Sequence, residues 1–370
     1  MKFTCEKNAL VSAISVASRT VAHKSTIPAL EGIYIRAGVK LTLSGYNLET
    51  GITISVDAEI QQTGACIMPS RLFFDIIRKL PGDTVSISVD EKFKVSIRGG
   101  ISSFSITAMS FEDYPELPEV ESDKGISLPQ NELKAMIGGT SFAVSENQAR
   151  PIHTGCLFEV EDSSITVVAV DGYRLALRRW KSEEPIGRTL KFVVPAAALK
   201  EAEKILGDTD EACTFFLGSK HILFTIGEAT LVCRLLEGEF LDWRRVLPQN
   251  QPVKLAVNVA KMTDSIERVG LIISEKLKSP VRCKFGENTA DFRSVSTIGE
   301  AHDVCQIAGD GQDMEIGFNC RYLLDALRAI PDAECSLELI NGLSPIVMNP
   351  CDGSERYSYM VLPVRLKAGE

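Results

Sequence analysis

MPSRLFFDIIRKLPGD, residues 68–83, occurs three times in this chain of 370 residues. A second copy is VPAAALKEAEKILGDT at 194–209, and a third is FNCRYLLDALRAIPDA at 318–333. Between the first and third, Arg71, Asp75, Arg78, Leu80 and Pro81 match Arg321, Asp325, Arg328, Ile330 and Pro331. The anchors Pro69, Pro195 and Asn319 lie 126 and 124 residues apart. Each copy reads as a short amphipathic helix. Pro, Ser or Asn stands at its start, where backbone donors lack partners anyway. Apolar residues recur at helical spacing, and Pro or Gly-Asp closes it.

A second signature gives the same period. Phe3–Leu10, Ile126–Leu133 and Leu255–Met262 each place a short strand before a helix, and Pro28, Pro151 and Pro280 hold one register. Spacings are 123 and 129 in both sets. The chain is therefore three copies of one unit of roughly 125 residues, a domain-sized repeat rather than a solenoid turn. We expect domains at 1–122, 126–250 and 253–370, joined through the acidic, Pro-rich stretch Phe111–Gly125 and its echo EGEFLDWRRVLP at 237–248. In that echo Trp243 takes the place of Tyr114.

Within each unit, helices (Lys7–Thr20, the region Glu132–Ile137, Val259–Ile272) precede runs of period-two strands broken by Gly and Asn turns. Each unit is two half-units of strand, helix and antiparallel strands. Two such helices cannot sandwich so many strands, so both are expected on one face of the sheets.

Composition bounds the function. With 45% hydrophobic and 24% charged residues the chain can bury real cores. Ten cysteines without a CxxC pair read as buried thiols. Four isolated histidines offer no ligand spacing, so neither a metal nor another cofactor is expected. No signal peptide or apolar run of membrane length is visible, which points to the cytoplasm. Net charge is −9, yet the six expected helices hold twelve basic and seven acidic residues, a balance of +5. A weakly basic helical surface without stacking aromatics suits sequence-independent phosphate contact. Walker A, dinucleotide and nucleophile-elbow motifs are absent from the sequence. Asp171-Gly172 lacks the companion acids of a metal loop and reads as a hairpin turn. No catalytic residue is assigned.

Four segments carry a resemblance to a known family. MKFTCEKNAL at 1–10, VAVDGYRLALRR at 168–179, EGEFLDWRRVLP at 237–248 and VLPVRL at 361–366 occur in order and span the chain. Together they resemble the beta subunit of bacterial DNA polymerase III, the sliding-clamp family. The resemblance implies an α+β fold of three repeated clamp domains, with helices on one face and antiparallel sheets on the other. It implies a head-to-tail homodimer that closes a six-domain ring around double-stranded DNA without sequence specificity. It further implies a non-enzymatic processivity factor that tethers the DNA polymerase III alpha subunit, the clamp loader, and other polymerases and repair proteins. These would dock through short Gln-and-Leu-containing peptides.

By motif match, the partner pocket would be walled by Val170, Gly172, Arg174, Leu175, Leu241 and Val246, with Pro345, Met360, Leu362 and Pro363. Ile152, His153 and Tyr173 would form its side groove. Spacing alone also reads Leu175 as a core strand residue. DNA contact would map to Lys24, Arg71 and Asn147. The family's paired aromatics are Pro151 and Ile152 here, and its basic residues at the second central helix are Ala196 and Ala197. The dimer contact would set Phe104 and Ile106 against Leu271 and Ile272. Two other readings compete. A nuclease on a repeated scaffold needs clustered acids for metal ions. A monomeric repeat adaptor needs neither helix charge bias nor the apolar pair Leu271-Ile272.

Overall fold

Residues 68–83 fold as a strand leading into a helix in a computed structural model that describes residues 1–121, 123–273 and 279–366. The domain edges expected at 122 and 370 lie outside the described residues. The first repeat runs β1 (Lys2–Glu6), α1 (Lys7–Ala17), β2 (Gly32–Ala37), β3 (Leu41–Tyr46), β4 (Thr50–Val56), β5 (Ala58–Gln62), β6 (Gly64–Pro69), α2 (Ser70–Lys79), β7 (Thr84–Val89), β8 (Lys94–Gly99) and β9 (Ser102–Thr107). The second runs β10 (Ile126–Pro129), α3 (Gln130–Gly138), β11 (Gly155–Glu161), β12 (Ser164–Val170), β13 (Arg174–Lys181), β14 (Leu190–Pro195), α4 (Ala196–Ile205), β15 (Ala212–Leu217), β16 (His221–Ile226) and β17 (Ala229–Arg234). The third runs β18 (Val253–Asn258), α5 (Val259–Gly270), β19 (Val281–Ser296), β20 (Gly299–Phe318), α6 (Cys320–Arg328), β21 (Glu334–Leu339), β22 (Ile346–Pro350) and β23 (Tyr357–Val361).

In α2, Phe73, Ile76 and Ile77 are buried at helical spacing, while Arg71, Arg78 and Lys79 face solvent. Leu80 is extended, as a residue before proline must be, and the helix stops there. α1 is shorter than expected. It ends at Ala17 and a 3₁₀ turn covers Ser18–Thr20, where the Ser18 hydroxyl donates back to the Ile14 carbonyl at 2.6 Å. α5 likewise ends at Gly270, two residues before Ile272.

The chain forms two compact units that cut across the repeats. The first is Met1–Lys134 with Ala197–Leu235; the second is Ala135–Ala196 with the chain from Leu236 onward. The first unit holds a five-stranded sheet, β5-β1-β7-β8-β9, and an eight-stranded sheet, β10-β15-β16-β17-β4-β3-β2-β6. The junction β17–β4 pairs Ala229 with Ile54 and Cys233 with Thr50, so half of repeat two completes a sheet of repeat one. The second unit holds one ten-stranded sheet, β14-β11-β12-β13-β23-β22-β21-β18-β20-β19. Its junction, β13–β23, pairs Arg174 with Val361 and Arg178 with Tyr357. Every named strand pair is antiparallel, which lets one sheet face be covered and the other stay partly open.

The described residues of the linker Phe111–Gly125 form no helix or strand, yet they do not make a loose tether. Tyr114 stacks on Tyr34 at 5.1 Å and donates to the Ser44 carbonyl at 3.4 Å. Leu117 fills the space above Gly51, where a Cβ would come within 2.7 Å of it. Its echo behaves alike. Trp243 is buried, and its Nε1 donates to Glu159 Oε2 at 3.0 Å. Among the described residues, no helix is long and apolar enough to cross a membrane, and no cluster of three metal-ligating side chains occurs.

Candidate functional site

The turn between β12 and β13 sets the geometry. Asp171 N donates to the Arg174 carbonyl at 3.3 Å, leaving Gly172 and Tyr173 as the two-residue loop. Gly172 has φ +91°, a conformation that the first position of such a tight turn demands and that a Cβ would strain. The Asp171 carboxylate accepts from the backbone of Tyr173 (2.9 Å) and Arg174 (3.0 Å).

From this turn β13 alternates. Leu175 and Leu177 point to one face of the sheet, Arg174 and Ala176 to the other. Register brings Leu175 opposite both Val170 and Met360, and Met360 opposite Val347. Leu362 N donates to the Tyr173 carbonyl at 2.9 Å, extending the β13–β23 pairing past the strand end. The result is one apolar cluster that includes Val170, Leu175, Leu177, Val347 and Met360, with Leu362 packed at its margin. Phe240, Trp243 and Leu247, from the echo segment, cover part of it. Leu175 is 1% exposed and thus floor, whereas Val246 at 36% and Leu241 at 42% are open to solvent. Pro345 and Pro363 are half-buried, and Ile152 packs on the cluster beside Gly238. His153 meets Phe240 edge-on at 5.1 Å. Burial, then the Arg150 charge, lowers the His153 pKa. Its buried Nδ1 has no hydrogen-bond partner among the described residues.

Arg174 does not present its guanidinium with these residues. It is buried on the helix-covered face, where Nε donates to Asp171 (2.9 Å), Nη1 to Asp325 of α6 (2.6 Å) and Nη2 to the Phe142 carbonyl (2.6 Å). The Tyr322 ring lies 4.4 Å below it. Tyr173, exposed, stacks on Tyr322 at 6.1 Å. The repeat alignment picks out Asp325 and Trp243 in the sequence but not their partners Arg174 and Glu159, and Tyr322 carries no such signal.

The helix charge bias is smaller than the sequence suggests. The six α-helices carry eleven basic and seven acidic residues, since Arg19 falls in the 3₁₀ turn. Six of the eleven are neutralised: Arg78 by Asp75, Lys134 by Asp208, Lys204 by Glu201, Arg268 by Asp303, Arg328 by Glu267 and, at 4.0 Å, Arg321 by Asp325. Arg71, Lys79, Lys200 and Lys261 are exposed and without an ion pair among the described residues. Lys24 is exposed as well. Asn147 is exposed, but its side chain closes a local turn by accepting from Ala149 N at 2.9 Å. Phe104 and Ile106 sit on β9, the edge of the five-stranded sheet, opposite Ile97 and Val95. Phe104 is exposed and Ile106 half-buried. Leu271, just past α5, is 81% exposed, and Ile272 is half-buried.

Comparison with known proteins agrees with this architecture. The family models of the DNA polymerase III beta subunit match in order: the N-terminal domain at residues 1–118, the central domain at 127–242 and the C-terminal domain at 244–365. A beta sliding clamp of Staphylococcus epidermidis is 32% identical over 381 residues, covering 99% of both chains. The DNA polymerase sliding clamp of Bacillus subtilis superimposes with a TM-score of 0.94 at 30% identity, over 99% of this chain and 100% of the other. The DNA polymerase III subunit beta of Pseudomonas aeruginosa gives 0.92 at 28%, over 99% and 100%. Matched from end to end by all three domain models, this chain belongs to the DNA polymerase III beta subunit family, the sliding clamps that serve as non-catalytic processivity factors of DNA polymerase.

Proposed function

We propose that two copies join head to tail into a six-domain ring in the cytoplasm, with duplex DNA threaded through it without sequence readout. In this reading the domains span 1–122, 126–250 and 253–370. Lys24, Arg71 and Asn147 touch phosphate. Phe104 and Ile106 of one copy meet Leu271 and Ile272 of the other. The DNA polymerase III alpha subunit, the clamp loader, and other polymerases and repair proteins dock on the second unit through short peptides.

One observation carries the docking reading. Strand register assembles Val170, Leu175, Met360 and Leu362 into a single apolar strip, and the segment that sends Phe240, Trp243 and Leu247 onto its cluster also carries the exposed apolar residues Leu241 and Val246. Exposed apolar side chains next to a largely buried apolar strip suit a partner's apolar side chains. Gly172 shapes the turn, and Arg174 acts as a positioning residue that ties the turn to α6. Ile152, His153, Tyr173, Pro345 and Pro363 border the strip.

Two measurements test the proposal. A peptide from the DNA polymerase III alpha subunit is expected to bind the wild type, and Val246→Glu is expected to abolish binding with unfolding unchanged. Clamps loaded on nicked circular DNA are expected to stay bound in high salt and to leave once the circle is linearised. Unchanged peptide binding by Val246→Glu would overturn the docking site. Equal retention on circular and linear DNA would overturn the ring.

A further inference from the structure

The sheet face that carries the apolar strip continues beyond it. Two residues after Leu175, β13 places Leu177 on the same face, paired with Ser358. Two residues after Val347, β22 places Asn349 there too. At this next row a cleft of about 420 Å³ opens, within the ~300–1,000 Å³ typical of ligand sites. Its lining includes Leu177, Val347 and Trp243, which belong to the same apolar cluster as Leu175 and Met360. It contains none of the pocket residues expected from sequence. The step from strip to cleft is two strand residues, or about 7 Å. A chain lying on the strip therefore reaches the cleft with its next residues.

The chemistry of the cleft is distinct. Its rim holds two cations, and each is matched: Arg179 by Glu355, and Lys254 by Glu338 at 3.2 Å. The indole N–H of Trp243 is also taken, by Glu159. Asn349, Ser358 and Gln249 remain, with side chains that make no hydrogen bond among the described residues. A charged residue entering this cleft would lose hydration without gaining a counter-ion. An uncharged residue would find an apolar floor and carboxamide or hydroxyl partners.

We propose that the cleft is a second peptide subsite, which takes roughly two or three uncharged residues flanking the motif held on the Leu175–Leu362 strip, at ~3.3 Å per residue. The inference rests on the docking reading above and names the part of the partner chain that reading leaves out.

The test uses the full-length protein and an alpha-subunit peptide in three forms: the Gln-and-Leu motif alone, and the motif extended by its neighbouring residues on one side or the other, with those neighbours made uncharged. One extension is expected to tighten binding about fivefold or more. Glutamates in that extension are expected to cancel the gain. Ser358→Phe, which fills the cleft, is expected to cancel it while leaving the motif-only affinity unchanged. Asn349→Phe repeats the test from the neighbouring strand should Ser358→Phe fold poorly. Neither extension improving binding, or the gain surviving both cleft-filling variants, would overturn the subsite. Failure of the motif alone to bind is a separate result: it removes the docking reading and the subsite with it.

Discussion

Leu175 and Val246, both assigned to the proposed docking site, answer to different physics. Leu175 is enclosed, so Leu175→Ala is expected to destabilise the fold by about 2–5 kcal/mol and to weaken peptide binding at the same time. Val246 is a third exposed, so its truncation to Ala is expected to lower peptide affinity with stability little changed. Urea unfolding and peptide titration on one sample separate the two. Of the two readings of Leu175 taken from the sequence, burial supports the core strand residue, and the pocket reading is the one that peptide titration addresses. Arg174 was legible as important but not in its role. Period-two alternation turns it away from Leu175, and its partner Asp325 lies 151 residues on. Arg174→Ala takes the shared cation from Asp171 and Asp325, leaving Asp171 its backbone donors and Asp325, among the described residues, only Arg321 at 4.0 Å, and is expected to cost about 3 kcal/mol in unfolding free energy. Lys at this position is not expected to rescue, lacking the fork that reaches three acceptors. His153 predicts a pH dependence. Its folded pKa lies below the ordinary imidazole value, so its contribution is complete above about pH 6.5 and is lost as pH falls through the folded value. The stability gap between wild type and His153→Gln is expected to shrink on acidification over that window.

The helices begin differently, and this sets an element-scale expectation. Asn319 Oδ1 accepts from the backbone of Arg321 (3.0 Å) and Tyr322 (3.3 Å), and Asn258 caps α5 through Lys261 N (3.0 Å). Pro69, at the start of α2, makes no such bond. Asn319→Ala is expected to cost about 1 kcal/mol, measured by thermal unfolding, while Pro69→Ala leaves no cap to lose. The central helices and most strands could be read from periodicity because one face of each is buried. β6, β14 and the long β19–β20 hairpin were harder. β6 and β14 abut the central helices without a turn signal, and the hairpin's ladder slips at Phe285–Thr289. Its backbone there turns to positive φ at Asn288, Gln312 and Asp313, which no alternation pattern announces.

At the scale of the whole molecule, the threefold repeat was visible in the sequence, but the packing of its halves was not. Nothing in a period of roughly 125 residues reveals that β17 completes a sheet with β4, or β13 with β23, because pairing between repeats leaves no local signature. The proposed dimer gives a further expectation. Replacing Leu271 and Ile272 together with Ala is expected to yield monomers by light scattering at nanomolar concentration, since exposed apolar anchors of this kind dominate small interfaces. A variant that stays dimeric would sink the assignment. The β17–β4 junction also has a consequence in time. Ribosomes make residue 56, the end of β4, 178 residues before residue 234, the end of β17 (234 less 56). At roughly 5–20 residues per second that interval is about 9–36 s. Throughout it the nascent first repeat holds out an unpaired strand edge, the kind of template on which neighbouring chains on a polysome aggregate.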